Sequence, residues 1–509
     1  MKKISAIMSL SLASLMLMAS CGTSTSNPTS ASESTSDSAT QSSSTAVEVN
    51  FWVTMNPTIT ARIKDYGEKF SKYIKTNEGV DVTVKVDYQG GYTDVMKKIV
   101  DGYSIGNTPT IVVAYPDHVA EYLTYNDNFV VNLDKYINDE KYTFGTDKGL
   151  GDDIEGTDDF IETFYEEGRN YLVDGTYSLP LQKSTELMYY NKNVVEKLLV
   201  PDSQLKPDGM SVEDFMNNLS WDDFMTLCQL VRNDIDGEKK YGNNLKVPAI
   251  YDSDGNLYIT QSYQRDIPYL SYNKQEKKAS VDFNNAEAKA MVKEFVTNNG
   301  FAKDKALFWT KGSNDDKYGS DAFTSGETLF SIGSTGGAGY QSKDGLKAGV
   351  CPVPYANKDR KQYVSQGVTL ALLNNIGLTK EKNELATLYG WKFMKYLTTP
   401  DVNVDINLTS QGYLPVRHSA IETIDYQDFL KDAEDDLIPA AAKCINDVLD
   451  YSFFNVPVFK GSAYARDQVS GIITNALLLK TDEDLDKKID DLFADAENNV
   501  KLKMVEDLK

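Results

Sequence analysis

Asp117 lies two residues beyond the apolar run Thr110-Ile111-Val112-Val113-Ala114-Tyr115. An ionised carboxylate accepts from two adjacent hydroxyls at once, and its charge strengthens each bond, so this position suits recognition of a polyol. It also suits the N-cap of a helix entered at His118-Val119-Ala120. Tyr92 follows Gly90-Gly91, where missing side chains let a ligand approach the backbone. Gly333-Ser334-Thr335-Gly336-Gly337 offers two hydroxyls and a run of amides, a small nest for a hydroxyl or an anion. Trp309 stands in the loop-like Leu307-Phe308-Trp309-Thr310 and is the preferred platform for stacking a sugar face. Of the other tryptophans, Trp391 and Trp221 read as core, and Trp52 as either core or cleft floor.

Other chemistries find less to work with. His118 and His418 are the only histidines, which weakens every mechanism that needs a histidine base or a histidine-rich metal site. The glycine run has no Lys-Ser/Thr after it and no GxGxxG order, so it is not a nucleotide loop. An EF-hand needs Gly at its sixth position and Glu at its twelfth; counted from Asp252, Gly255 comes fourth and Tyr263 twelfth, so Asp252-Ser253-Asp254-Gly255-Asn256 reads as a turn. Acidic residues number 75, enough that chance pairs are certain, and none stands in a recognisable glycosidase setting. No metal and no cofactor is expected.

These residues are positioned by an α/β layout. Val47 to Val53 alternates as a strand, and Pro57 to Lys75 carries Ile59, Ile63, Tyr66, Phe70 and Tyr73 at helical spacing. Val80 to Val86 alternates again, Tyr92 to Gly102 reads as a helix, and Thr110 to Tyr115 as a buried parallel strand. Tyr177 to Leu181 and Leu187 to Tyr190 read as short strands around the polar break Gln182-Lys183-Ser184-Thr185. Ser220-Trp221-Asp222-Asp223 opens a helix with a capping box. Val350 to Pro354 and Val368 to Leu373 are buried strands. Glu384 to Leu397 is an amphipathic helix ended by Pro400, and the remainder is mainly helical.

The N-terminal region has a different character. Lys2-Lys3, the apolar run Ile4 to Leu17 and Met18-Ala19-Ser20 compose an export signal over residues 1–20, and the apolar run is too short to span a bilayer as a permanent helix. Cys21 directly after the small residues resembles a bacterial lipobox, whose cysteine is acylated. Residues 21–46 carry that cysteine and a Ser/Thr-rich leash with a mean reach of about 25–30 Å, too polar to fold. The expected location is therefore outside the cytoplasm, on a membrane face, held by a lipidated Cys21. Net charge is −23, which argues against nucleic acid and against lying flat on anionic lipid. Cys228, Cys351 and Cys444 then remain, an odd and widely spaced set with neither a disulfide framework nor zinc spacing.

Taken in order, several segments resemble the extracellular solute-binding proteins of ATP-driven (ABC-type) importers, in the carbohydrate group that includes maltose-binding and glycerol-3-phosphate-binding proteins. They are Val49-Asn50-Phe51-Trp52, Gln89-Gly90-Gly91-Tyr92-Thr93-Asp94, Gly106-Asn107-Thr108-Pro109-Thr110-Ile111, Leu179 to Thr185 and Met188-Tyr189-Tyr190-Asn191-Lys192. Phe323-Thr324-Ser325-Gly326-Glu327, Pro352-Val353-Pro354-Tyr355, Trp391 to Pro400 and Gly412-Tyr413-Leu414-Pro415-Val416-Arg417 extend the match. The resemblance implies a two-lobed α/β fold of the periplasmic-binding-protein type (type II) with three interlobe crossovers. These fall near Leu179 to Glu186, Val353 to Gly367 and Gln411 to Val416. One lobe then holds 47–180 plus 366–411, and the other 186–352 plus 417–509.

By the same resemblance Ser184, Thr185, Gln366-Gly367 and Tyr413 line the cleft, an acidic ligand contact falls at Asp117, and Tyr263 matches an aromatic cleft segment loosely. Ser334 and Thr335 add the nest. The phosphate-binding relative uses an Arg in its C-terminal segment; here Phe459 to Arg466 puts none cleanly in place, with Lys460 and Arg466 as substitutes. The implied function is a lipid-anchored, non-enzymatic sugar- or polyol-binding subunit, partnered by membrane permease subunits and a separate ATPase. The alternatives are a glycerol-3-phosphate or glycerophosphodiester binder of the same family, and a surface glycoside hydrolase.

Overall fold

In the computed structural model the described residues are 46–126, 128–150, 156–199, 205–300, 304–410, 412–447, 453–480 and 484–505. The signal segment, Cys21 and the leash before Ala46 lie outside them, as does Gln411.

Alternating apolar residues make β1 (Val47–Val53) and β2 (Val82–Tyr88) parallel neighbours. Between them runs α1 (Pro57–Glu78), started by Asn56, whose side chain accepts from the Ile59 amide at 3.0 Å, with Pro57 in its first turn. Pro is tolerated there because that amide has no helical partner. The helix stops at Gly79, φ +71°, a left-handed C-cap that costs glycine least. α2 (Tyr92–Tyr103) leads to β3 (Ile111–Ala114), buried along its whole length, and then to α3 (Pro116–Tyr122). β4 (Ser178–Ser184) and β13 (Gln366–Leu372) complete a first sheet ordered β2-β1-β3-β13-β4. β3 is parallel to β1 and antiparallel to β13.

A second sheet is ordered β11-β5-β10-β6-β9, from β5 (Glu186–Asn191), β6 (Ala249–Tyr251), β9 (Phe308–Thr310), β10 (Phe330–Ser334) and β11 (Ala348–Pro352). The hairpin β7 (Leu270–Asn273) and β8 (Lys278–Val281) stands apart, as does the pair β12 (Tyr363–Val364) and β14 (Phe453–Phe454). Each sheet has its own core. The first gathers Phe51, Phe70, Leu179, Leu370, Trp391 and Phe393, and the second Met188, Trp221, Phe224, Phe283, Phe330 and Phe493.

Several sequence expectations shift. Residues 182–184 are not a break: β4 continues through them, and only Thr185 separates it from β5. Trp309 sits in edge strand β9, paired with Ile250, and not in a loop. The helix Lys380–Leu397 ends before Pro400, which opens the next helix, Pro400–Leu408. Asp252 to Asn256 is only partly a turn, since Asp254 begins the helix Asp254–Gln264. Asp117 is not an N-cap: Tyr115 holds that place and Asp117 falls in the first turn.

The chain passes between the sheets at Thr185, again between β11 and β13, and a third time after the helix Pro400–Leu408. Leu414 exchanges main-chain hydrogen bonds with Lys183 at 2.7 and 3.2 Å, joining the first and third passages. Gly412 is at φ +126°, and a Cβ there would lie 2.0 Å from the Thr335 carbonyl. No other residue fits that close approach.

Candidate functional site

The first wall of the site is the carboxyl end of β3. Tyr115 and Asp117 follow it, and the Tyr115 ring packs against Tyr92 with centroids 4.2 Å apart. Tyr92 is aimed by the turn before it: Gly90 is at φ +103°, and the Gly91 amide donates to Asp94 Oδ2 at 2.9 Å. The Tyr92 hydroxyl interacts with those of Tyr413 and Tyr115. Burial above all pushes the three phenols well above their ordinary range, so each remains a neutral hydroxyl, able to donate and accept. Tyr413, on the third passage, lies over Gly336 so closely that a Cβ there would be 2.7 Å from the ring. Oδ1 of Asp117 is buried without a hydrogen-bond partner among the described residues. Such an acceptor costs about 1–3 kcal/mol until a donor reaches it.

The facing wall belongs to the second sheet. The helix Ser462–Leu477 packs on Asp254–Gln264 and reaches α3 of the first lobe. It carries Arg466 and Asp467. Asp467 is held above its usual carboxylate range by partial burial and by Asp117 across the gap, with Arg466 and His118 opposing the shift. Tyr115, of the first lobe, and Tyr269, of the second, both feel Arg466 and Asp117. Charged groups from both lobes therefore converge on one place. Behind Arg466, Glu186 opens β5 and is pushed up to about 7, chiefly by burial. It accepts from the Tyr251 hydroxyl at 2.6 Å and from Asn256 Nδ2 at 3.0 Å. Asp252 at the end of β6 is raised to about 6, again chiefly by burial.

The sequence candidates fall into three places. Tyr92, Asp117 and Tyr413 belong to the convergence just described. Ser184, Thr185, Ser334, Thr335 and Gly367 gather where the chain crosses between sheets, and several of their polar groups are already engaged. The Thr335 amide donates to the Thr185 carbonyl at 2.8 Å, and Thr185 Oγ1 donates to the Val364 carbonyl at 2.8 Å. Ser334 Oγ accepts from the Gly336 amide at 3.2 Å. Gly367, at φ +105°, admits the Gln182 carbonyl where a Cβ would lie 2.2 Å from it. Tyr263 stacks on Phe454 at 3.9 Å and 10°. Trp309 is half-buried on the outer strand of the second sheet.

Sequence reasoning missed Tyr115, Glu186, Tyr251, Asn256 and Tyr269, and named Arg466 only as a substitute. Glu186 left little signal: it directly precedes the apolar run Leu187 to Tyr190, but an acidic residue there is buried only if partners reach it, and Tyr251 and Asn256 are distant in sequence. A depression of about 700 Å³ beside α2, lined by Trp52, Gln89, Lys98 and Asn107, has none of these groups in its lining. It brings together no buried charged groups from two lobes, so the site is assigned to the convergence.

Among the described residues no group of three His, Cys, Asp or Glu is placed to hold a metal. The described cysteines, Cys228, Cys351 and Cys444, are free, and no described helix is long and apolar enough to cross a membrane. The arrangement offers neutral phenols, one unpartnered carboxylate oxygen and one guanidinium. Such a set can exchange hydrogen bonds with a molecule rich in hydroxyl or phosphate oxygens.

Residues 63–434 match the family model of bacterial extracellular solute-binding proteins, and the chain belongs to that family. No curated protein matches it in sequence. Among solved structures it is similar to the GacH receptor of Streptomyces glaucescens, described unliganded and with acarbose, at 17% identity and TM-score 0.60, over 89% of this chain and 98% of that one. UgpB from Mycobacterium tuberculosis, in complex with glycerophosphocholine, gives 16% and 0.61 over 90% and 98%. Maltose-bound MalE3 of T. maritima gives 15% and 0.59 over 90% and 100%. The likeness is one of fold: two α/β lobes of the type II binding-protein kind, crossed three times by the chain.

Proposed function

We propose that this chain is the solute-capturing subunit of an ATP-driven importer of mono- or oligosaccharides. It is held at a membrane by a lipidated Cys21 after removal of residues 1–20, and it has no catalytic activity of its own. The observation that carries this reading is the convergence of Tyr92, Tyr115, Asp117 and Tyr413 with Arg466 between two lobes. The lobes are 47–180 plus 366–411 and 186–352 plus 417–509. Solute enters the open cleft, the lobes close by hinge motion, and the closed form is read by membrane permease subunits served by a separate ATPase. Relatives of the same fold that hold acarbose, maltose or glycerophosphocholine support a polyhydroxylated solute.

Arg466 opposite Asp117 supports a second reading, a glycerophosphodiester, because a guanidinium suits a phosphate oxygen. Calorimetric titration with maltose, maltotriose, ribitol and glycerophosphocholine, with small-angle scattering of each mixture, tests both. Saturable heat and a smaller radius of gyration are expected with one of these solutes. Unchanged scattering and no heat from all four would refute capture, and sustained turnover of an oligosaccharide would identify a hydrolase.

A further inference from the structure

Glu186 is a buried acid, 2% exposed, beneath the cleft and outside its lining. Its partners form a line. Asn256 Nδ2 donates to Glu186 Oε1 at 3.0 Å, and Oδ1 of the same amide accepts from Arg466 Nη1. An amide polarised by a carboxylate at its nitrogen becomes a better acceptor at its oxygen, so successive bonds reinforce one another. Three side chains, from β5, from the helix Asp254–Gln264 and from the helix Ser462–Leu477, thus connect a buried carboxyl to the guanidinium that faces Asp117 and Asp467.

The surroundings of Glu186 pull in opposite directions. Burial disfavours its charged form most, and Asp252 at the end of β6 adds repulsion. Tyr251 from β6, Asn256 and Arg466 favour the charged form. Of the two strands paired with β5, β10 sets the uncharged Ser334 opposite Glu186, and β11 pairs only from Leu187 onward, where its nearest residue is Pro352. Both forms of the acid are therefore accessible near neutral pH, where an ordinary glutamate is fully ionised.

We propose that Glu186 is a positioning residue for Arg466, acting through Asn256. Ionised, it holds the guanidinium against the second lobe; protonated, it releases the guanidinium toward Asp117 and the solute. Atoms balance simply: one proton moves between Glu186 and solvent, and no bond other than hydrogen bonds changes. The role assigned to Arg466 rests on the reading of the interlobe cleft as the solute site, but the coupling itself does not.

Infrared difference spectroscopy of the full-length protein against pH, with no solute added, tests the coupling. The carbonyl stretch of one protonated carboxyl, absent from Glu186→Gln, should fade with a midpoint near neutrality. Arg466→Gln should raise that midpoint by about one pH unit, a tenfold change in proton affinity, while Arg466→Lys keeps the charge and should shift it less. In an Asn256→Ala background the Arg466→Gln shift should fall to less than half, and Asn256→Leu serves if the alanine variant does not fold. The proposal is overturned if Glu186→Gln removes no band, if Arg466→Gln leaves the midpoint in place, or if its shift is the same with and without Asn256. Because these readings need no solute, their failure would leave solute capture standing, and failure of every solute to bind would leave the coupling standing.

Discussion

Gly336 and Gly337 are adjacent, and only one of them has room for a methyl group. A Cβ on Gly336 would meet Cζ, Cε2 and Cε1 of Tyr413 at 2.7, 2.9 and 3.1 Å, whereas one on Gly337 would find Tyr340 Cδ2 at an ordinary 3.7 Å. Carbon atoms settle about 3.5–4.0 Å apart, so Gly336→Ala must move the Tyr413 ring by the better part of an ångström. The ring has little freedom to go. It interacts with Tyr92, and its neighbour Leu414 is bonded on both sides to Lys183. Overpacking of this kind costs about 1–3 kcal/mol, a factor of about 5 to 150 in any equilibrium that needs the contact. Urea unfolding of the two variants, and calorimetric affinity for whichever solute binds the unaltered protein, should separate them: Gly336→Ala weakened in both, Gly337→Ala within error of the parent. Tyr413→Leu, by removing the ring, should abolish the difference between Gly336 with and without its methyl. Equal behaviour of the two alanine variants, or a penalty that survives Tyr413→Leu, would refute the reasoning.

Lys183→Met leaves Glu167 buried without its cation, since the side chains of this ion pair are 1% and 7% exposed; it should destabilise by about 3–5 kcal/mol, and Glu167→Gln added to it should recover a measurable part in urea melts. Asp117→Asn keeps the shape but loses the charge, and should weaken solute binding by about 10- to 150-fold, the worth of one hydrogen bond to an ionised group, with no loss of melting temperature. Asp147 is buried, which opposes its ionisation, yet Lys395 and Lys392 at 2.6 and 2.9 Å hold its pKa below the ordinary value. Its contribution is thus present above the ordinary aspartate pKa and lost on acidification, so Asp147→Asn should be less stable at pH 7, the gap to the parent narrowing below about pH 4. Glu186 has the opposite sign: raised to about 7, it binds its proton more tightly folded than unfolded. Stability of the parent should therefore fall between about pH 4.5 and 7 relative to Glu186→Gln, which denaturation curves at several pH values will read.

Periodic elements were legible because their signals are local. The alternation of β1, and the Pro57 and helical spacing that mark α1, need no knowledge of the rest of the chain. The polar stretch Gln182 to Thr185 misleads for the converse reason. Its side chains are buried in β4 and at the passage because partners arrive from afar: Glu167 for Lys183, Val364 for Thr185, and Asn403, which donates to the Leu181 carbonyl next to them at 2.9 Å. Trp309 was unreadable as a strand because β9 has only three residues, too few to show a period. Arg466 and Glu186 are connected through Asn256, an arrangement that no spacing along the sequence announces.

The distribution of charge explains why closure should wait for solute on the proposed reading. Partial burial, and after it repulsion from Asp117 across the gap, raise the proton affinity of Asp467. Bringing the lobes together deepens that repulsion, because water leaves and the effective dielectric falls. Arg466 offsets it only in part while Asn256 holds one of its nitrogens. A molecule that donates hydroxyls to Asp117 Oδ1, which has no partner among the described residues, supplies what the empty closed state lacks and adds no negative charge if it is a neutral sugar. A phosphodiester must instead draw Arg466 away from Asn256, so its binding should strengthen as Glu186 takes up a proton, while that of a neutral sugar should change less. Affinities for glycerophosphocholine and maltotriose measured at pH 5.5 and 8.5 decide the point, and equal pH dependence for both would show that the guanidinium is not the group that tells them apart.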